Sequence, residues 1–286
     1  MKTLKKIFKW VGIVLLVLVA TGFTLYMIYL RPVMKHMAKT SVINYDKDLT
    51  LIIGGGGNSG ILVSDSLVVV IDTKMDEAAE DLYKTVKALA GNKPILVINT
   101  HYHSDHTKGN VLYKGQNILA GGNYTKEMWV KAAGEETMPT LWVKDRRDIK
   151  MGDDTITILN MNRNAHTESD VFVYSHKRKM LFGGDVILNG QIPALMGVAD
   201  PDGYYAAFEM LPKQFEIQKI VPGHGPMGGM EIIENFRKYF DDMKIAATDD
   251  SKKDELVAKY KDWIQVPIIM SPGKTISVFK EKAETK

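Results

Sequence analysis

The pattern of apolar and polar positions divides this chain into an N-terminal apolar run and a longer body. From Val11 to Leu30 there are twenty residues without a charge, and a helix of about 20 residues spans the ~30 Å hydrocarbon layer of a bilayer. Lys2, Lys5, Lys6 and Lys9 precede the run, and Trp10, Tyr26 and Tyr29 sit near its ends, where amphipathic rings favour the membrane interface. Ala20-Thr21-Gly22 has the small residues of a signal-cleavage site, but the apolar run continues to Leu30, beyond the roughly 7–15 residues of a cleaved segment. The pattern predicts an uncleaved, single-pass membrane anchor over residues 1–32. The preceding lysines place the N-terminus in the cytoplasm and the rest of the chain outside it; Arg31, Lys35 and Lys39 oppose that bias. No cysteine follows the run, which excludes a lipoprotein anchor. Residues 33–42 read as a polar linker.

The body alternates strand-like and helix-like segments. Leu49 to Ile53, Ile61 to Ser64 and Leu67 to Ile71 are short apolar, β-branched runs bounded by turn residues. Asp76 to Leu89 has helical spacing at Ala79, Leu82, Val86 and Leu89, with Asp76 as the expected N-cap and Gly91 and Pro94 as the stop. Ile95 to Asn99 reads as a buried strand, and Tyr124 to Ala133 as a helix carrying Trp129. Strands are expected at Thr155–Leu159, Val171–Tyr174, Lys179–Phe182 and Ile217–Val221, and helices at Tyr204–Phe215, 231–245 and 252–264. The last twenty or so residues are Lys-rich with scattered apolar positions.

Composition narrows the chemistry. The 286 residues include no cysteine, so disulfides and thiolate zinc sites are excluded. A net charge of +3 with interspersed acids and bases provides no basic patch for nucleic acid. The stretch Gly54 to Gly60 lacks the Lys-Ser/Thr of a phosphate-binding loop and does not lead into a helix, so it reads as a flexible hairpin tip.

The run His101-Tyr102-His103-Ser104-Asp105-His106 places four potential metal ligands at the end of an apolar stretch. Imidazole and carboxylate are the zinc ligands that remain when no thiolate is available. His101 and His103 alternate, so in extended chain they project to one side, while Asp105 and His106 follow a bend and can face a second ion. Asp185 ends an apolar strand after two glycines, a costly place for a carboxylate unless it is paired or metal-bound; it can give one oxygen to each of two cations. His166 and His224 also lie at strand ends among small residues. His36 and His176 read as ordinary surface or hydrogen-bonded histidines.

The ordered set HYHSDH, AHT, GGD and PGHG resembles the metallo-β-lactamase superfamily over roughly residues 43–245, with Val68 to Thr73 similar to that family's early strand ending in aspartate. The resemblance implies an α/β (α+β) fold, a four-layer αβ/βα sandwich with the metal site at one edge. Such a sandwich would occupy 43–245 as the catalytic domain, with 246–286 as a C-terminal helical extension. It also implies that His101, His103 and His166 bind a first metal, that Asp105, His106 and His224 bind a second, that Asp185 bridges them and that Asp72 supports the ligand loop. Two Zn2+ are expected, with Fe or Mn as alternatives.

Two positions depart from the family's pattern. Ala165 stands where many relatives have glycine. Asp185 stands where the β-lactamases with three-histidine first sites have Cys or Ser, and so resembles the hydroxyacylglutathione-hydrolase-like and quinoprotein-relay members.

The expected activity is hydrolysis of an ester, thioester, lactone or amide in a small substrate, with a bridging hydroxide as nucleophile and Asp105 orienting it. β-Lactam hydrolysis, phosphodiester hydrolysis and iron-dependent sulfur dioxygenation are the enzymatic alternatives. A degenerate scaffold that only binds is disfavoured by seven converging polar groups. Substrate choice is expected to rest on Gly54 to Gly60, Asn189 to Pro193 and the segment holding Trp129 and Trp142.

Overall fold

The lysine-bearing N-terminus and the apolar run after it form one long helix, α1 (Lys2–Leu25), which passes into a π-helical turn at Tyr26–Leu30. Its stretch Trp10–Ile28 has a mean hydropathy of 2.4 and is long and apolar enough to cross a membrane. The computed structural model describes residues 2–31 and 39–284. The expected linker positions 33–38, His36 and Lys35 among them, lie outside the described residues. The chain forms two compact units that divide between Ala38 and Lys39.

The second unit is built on two sheets. The first begins with β1 (Thr40–Asp46), β2 (Leu49–Gly54), β3 (Ser59–Val63) and β4 (Val68–Ile71), which pair antiparallel in turn. Thr40, Ser41 and Val42, read as linker in the sequence, are thus paired strand. After helix α2 (Asp76–Ala90), the strand β5 (Ile95–Ile98) lies parallel to β4. The one-turn helix α3 (Ser104–Thr107) precedes β6 (Asn117–Gly121), and α4 (Lys126–Ala133) precedes β7 (Leu141–Val143), each strand again parallel to the one before.

The second sheet begins with β8 (Arg146–Met151), β9 (Asp154–Asn160), β10 (Val171–Ser175) and β11 (Met180–Phe182), all antiparallel. Helix α5 (Pro201–Gln214) then leads to β12 (Lys219–Val221), parallel to β11. The chain ends in α6 (Glu231–Thr248), α7 (Lys253–Ala258) and α8 (Pro272–Glu284).

Side-chain alternation produces the layers. In β4, Val69 and Ile71 pack with Ile156, Val171, Val173 and Phe182 of the other sheet, while Val68 and Val70 pack with Leu82 and Val86 of α2. In β10, Val171 and Val173 face the first sheet, and Phe172 and Tyr174 join Tyr204, Phe236 and Phe240 of the outer helices. Strands buried on both faces read as continuous apolar runs, and the result is the expected helix–sheet–sheet–helix sandwich. The strands β1 and β6 to β8 escaped prediction because they are short or largely polar. Asp76 does not cap α2: the N-cap is Met75, and the Asp76 carboxylate accepts from Lys108 Nζ at 2.7 Å. The segment 252–264 is helical only through Ala258.

The scattered apolar positions of the tail complete the second helical layer. Ile276 and Phe279 of α8 are buried in it, Phe279 lies 6.2 Å from the Phe240 ring, and Thr275 and Tyr239 share a 2.7 Å hydroxyl hydrogen bond. Phe279→Ala is expected to lower stability to urea by about 3 kcal/mol, the usual cost of emptying a buried phenylalanine site. An unchanged denaturation midpoint would show that α8 is not part of the core.

Candidate metal centre

Five strand ends and connecting loops converge at one edge of the sandwich. Asp72 follows β4 and His101 follows β5, with His103 at the N-cap of α3 and Asp105 and His106 inside it. His166 lies in the β9–β10 connection, Asp185 in a 3-10 turn after β11, and His224 after β12. The turn of α3 is held by Thr107 Oγ1, which donates to the carbonyls of Tyr102 and His103 at 3.1 and 3.0 Å. The two sheets are tied there by the Val171 N–H donating to the Thr100 carbonyl at 2.8 Å.

The seven groups singled out by sequence form two clusters that could each hold a metal ion. His101, His103, His166 and Asp185 make one; Asp105, His106 and His224 make the other. Asp185 lies between them, and its two oxygens divide. Oδ2 is 3.4 Å from His166 Nε2 and 4.0 Å from His101 Nε2. Oδ1 is 3.2 Å from His106 Nε2 and 3.4 Å from His224 Nε2. Asp105 Oδ2 approaches His224 Nε2 at 3.1 Å. Among the described residues, His106 Nε2 and Asp185 Oδ1 are buried without a hydrogen-bond partner, despite their 3.2 Å approach, because their geometry is not that of a hydrogen bond. An orphaned buried polar atom costs about 1–3 kcal/mol, and a cation between these atoms would engage both.

Asp72 lies against the ligand loop. Its backbone is left-handed (φ 55°). Its carboxylate accepts the Thr100 N–H and hydroxyl, both at 2.8 Å, and lies 2.7 Å from His106 Nδ1. That bond leaves Nε2 of His106 facing the cluster, since a hydrogen bond to one ring nitrogen fixes where the other points. His166 is oriented in the same way by Tyr204, whose hydroxyl is 3.0 Å from Nδ1, while Asp170 accepts the His166 N–H at 2.9 Å.

The stretch Gly54 to Gly60 is a buried part of the centre, not the flexible tip its composition suggested. The Gly57 N–H donates to the Asp105 carbonyl at 3.1 Å, and a methyl on Gly57 would overlap the His106 ring. Glycine is required here for close approach. Lys74, absent from the sequence reading, holds this loop. It is fully buried, and its ammonium donates to the carbonyls of Ile52, Gly54 and Gly57 at 3.0, 2.5 and 2.6 Å. Those three acceptors match the three donors of an ammonium. Only the match between Lys74 and a loop some twenty residues earlier could have revealed it, and no local motif signals that. In the segment expected to shape substrate choice, Trp129 is fully buried and its indole N–H donates to Thr137 Oγ1 at 3.0 Å, while Trp142 is exposed. His176 is exposed and pairs with Thr157, as read.

Electrostatics separates the two clusters. Burial lowers His101 and His103 and takes His166 down to about 3, all favouring the neutral imidazole that ligates metal. Burial also acts to lower His106 and His224. In the second cluster it is overcome: Asp72, Asp105 and Asp185 hold His106 well above its ordinary value, and Asp185 and Asp105 lift His224 to about 9. Burial works to raise Asp105 and Asp185, but His106 and His224 keep both carboxyls far below the usual carboxylate range. Burial pulls Lys74 down to about 7 against the attraction of Asp72 and Asp105. The second cluster is therefore a pocket of negative potential, suited to a cation.

Comparison with known proteins agrees with this geometry. The family described as the metallo-beta-lactamase superfamily matches residues 52–224. A human acyl-coenzyme A thioesterase, MBLAC2, is 24% identical over 216 residues, 62% of this chain and 76% of that protein. A metallo-beta-lactamase type 2 from Bacillus sp. (strain 170) is 26% identical over 176 residues, 60% of this chain and 67% of its own length. Among solved structures, a metallo-beta-lactamase from Pontibacter korlensis superposes with a TM-score of 0.59 at 20% identity, covering 70% of this chain and 98% of that one.

Two expectations follow from the site's own residues. Lys74→Met removes the ammonium that donates to three carbonyls, so it should cost about 3 kcal/mol and speed hydrogen exchange at the Gly54–Gly57 amides; unchanged exchange there would mean that other contacts fix the loop. In chelator-treated protein His224 holds its proton more tightly folded than unfolded. Its stabilising contribution is complete below its ordinary value of 6.5 and is lost as pH rises through about 9. Urea stability should fall more steeply across that window in the natural chain than in His224→Gln, and parallel pH curves would contradict the assignment.

Proposed function

The chain belongs to the metallo-β-lactamase superfamily, and from that membership we propose that it is a dinuclear metallohydrolase that cleaves acyl thioesters. The observation that carries the reading is the division of the Asp185 oxygens between two ligand clusters. His101, His103, His166 and Asp185 Oδ2 would hold the first ion, and Asp105, His106, His224 and Asp185 Oδ1 the second. With imidazole and carboxylate donors alone, zinc is the expected metal. Bound there, two divalent cations supply Lewis acidity toward a carbonyl oxygen and lower the pKa of attacking water.

The chain's own groups position and move the proton. Asp105 is the more open of the two cluster carboxylates, with 22% of its side chain exposed against 11% for Asp185. It orients the attacking water and accepts its hydrogen bond. Asp72, Thr100 and Tyr204 keep the histidines from turning. Water adds to the thioester carbonyl carbon, the C–S bond breaks, and the thiolate takes the proton, yielding acid and thiol.

The human relative named as an acyl-coenzyme A thioesterase supports the substrate class, as does aspartate at position 185 in a chain without cysteine. The type 2 β-lactamase relatives support β-lactam hydrolysis as the competing reading. The apolar stretch Trp10–Ile28 supports a single-pass anchor, and the lysines before it favour an extracytoplasmic body.

Full-length protein in detergent, loaded with zinc, should hydrolyse short acyl thioesters, including those of coenzyme A and of N-acetylcysteamine. Asp185→Asn should lose roughly 100-fold or more in turnover together with part of the bound metal. Near-normal turnover and metal content in that variant would overturn the bridge. Turnover of nitrocefin without turnover of any thioester would replace this reading with the β-lactamase one.

A further inference from the structure

A cavity of about 410 Å³ opens beside the His224 segment, between the loop after Asp185, helix α6 and the chain that follows α7. Its volume falls in the about 300–1,000 Å³ range of small-molecule sites. It is joined to the centre through the backbone. Leu188 pairs in register with His224, the Asn189 N–H donates to the His224 carbonyl at 3.0 Å, and Asn189 Nδ2 donates to the Pro226 carbonyl at 2.8 Å. The Ile264 N–H donates to the Gly190 carbonyl at 2.8 Å, fastening the Trp263 segment to the same loop.

The lining has a consistent chemistry. Asn235 and Lys238 lie three positions apart on α6, so they share a helix face. Both are exposed, and among the described residues neither side chain has a hydrogen bond or ion pair. Lys259 adds a second ammonium, held 3.3 Å from Asp242, which also accepts the Tyr260 hydroxyl at 2.8 Å. Trp263, half-buried, supplies an indole stacked on Tyr239 with centroids 5.4 Å apart. Among the described residues no carboxylate lines the cavity, and Asp242 stands behind Lys259. Two ammonium groups, two side-chain amides and an indole suit a phosphorylated group that also carries an aromatic ring: lysine acts as a point charge for phosphate, and indole offers a flat apolar wall.

We infer that this cavity binds the nucleoside-phosphate portion of the thiol leaving group. The inference rests on the thioester reading and deepens it: the acyl carbonyl reacts at the metal centre while the distal phosphates are held by Lys238 and Lys259. Bound in this way, the leaving group contributes affinity from atoms remote from the bond that breaks.

The test uses the full-length protein, with free coenzyme A and adenosine 3′,5′-bisphosphate as probes, followed by calorimetry and tryptophan fluorescence. Both probes should bind, and Lys238→Glu should weaken each roughly 10-fold or more, as expected when a favourable phosphate contact becomes repulsive. Trp263→Phe should abolish the fluorescence change. In kinetics, Lys238→Glu should raise KM for a coenzyme A thioester with kcat retained. Equal probe affinity in the natural chain and Lys238→Glu, or a fluorescence change that survives Trp263→Phe, would overturn the inference. Hydrolysis of an N-acetylcysteamine thioester by the unaltered protein tests the thioester reading separately. If that activity is present and the lysine dependence absent, only the cavity assignment fails. Lysine-dependent probe binding without hydrolysis of any thioester would leave a nucleotide site but overturn its role as a leaving-group site.

Discussion

The structure depends on one constraint: a carboxylate, Asp185, only 8% exposed, faces four imidazoles at the edge of a two-sheet sandwich. A buried charge is expensive unless it is matched. Here the matching groups come from segments far apart in sequence, and the fold must bring them within 4.0 Å of the carboxylate. It does so by ending β4, β5, β11 and β12 on one edge and by placing small residues where the backbone must pass close. A methyl on Gly223 would overlap Asp185 itself. The surrounding contacts act through the same point: Asp72 braces His106, Tyr204 braces His166, and Lys74 draws the Gly54–Gly57 carbonyls down over Asp105 and His106.

Matching is uneven across the centre, and the unevenness is informative. On the His101 side, burial keeps the imidazoles neutral. On the His106 side, three aspartates draw positive charge toward the cluster. A site of this kind favours cations, and its imidazoles are already braced toward the cluster. The same division gives Asp185 its place: one oxygen belongs to each environment. Relatives of this chain include a protein named as an acyl-coenzyme A thioesterase and proteins named as metallo-beta-lactamases. Which substrate is served must come from surfaces outside the ligands, and the lysine- and tryptophan-lined cavity next to His224 is the surface proposed for that selection.

The legibility of this arrangement varied with the range of the interaction. His101, His103, Asp105 and His106 stood out because they are neighbours in sequence. Asp185, His166 and His224 were readable only from their strand-end settings and the family resemblance, since each is unremarkable alone. Lys74 carries no local signal; its burial depends on carbonyls supplied by β2 and the loop after it. The glycine run looked flexible because composition reports conformational freedom and says nothing of what packs against it. Short strands such as β7 lack enough residues for a period-2 pattern, and the apolar positions of α8 are too sparse to announce that they close a core.

The most direct test of the central claim is a calorimetric titration of zinc into chelator-treated protein near pH 7, repeated in buffers of different ionisation enthalpy. His224, lifted to about 9, and His106, raised well above its ordinary value, must give up protons to ligate metal, so the account requires two zinc ions per chain with protons released on binding. A single ion, or binding without proton release, would contradict a centre built from two clusters sharing Asp185.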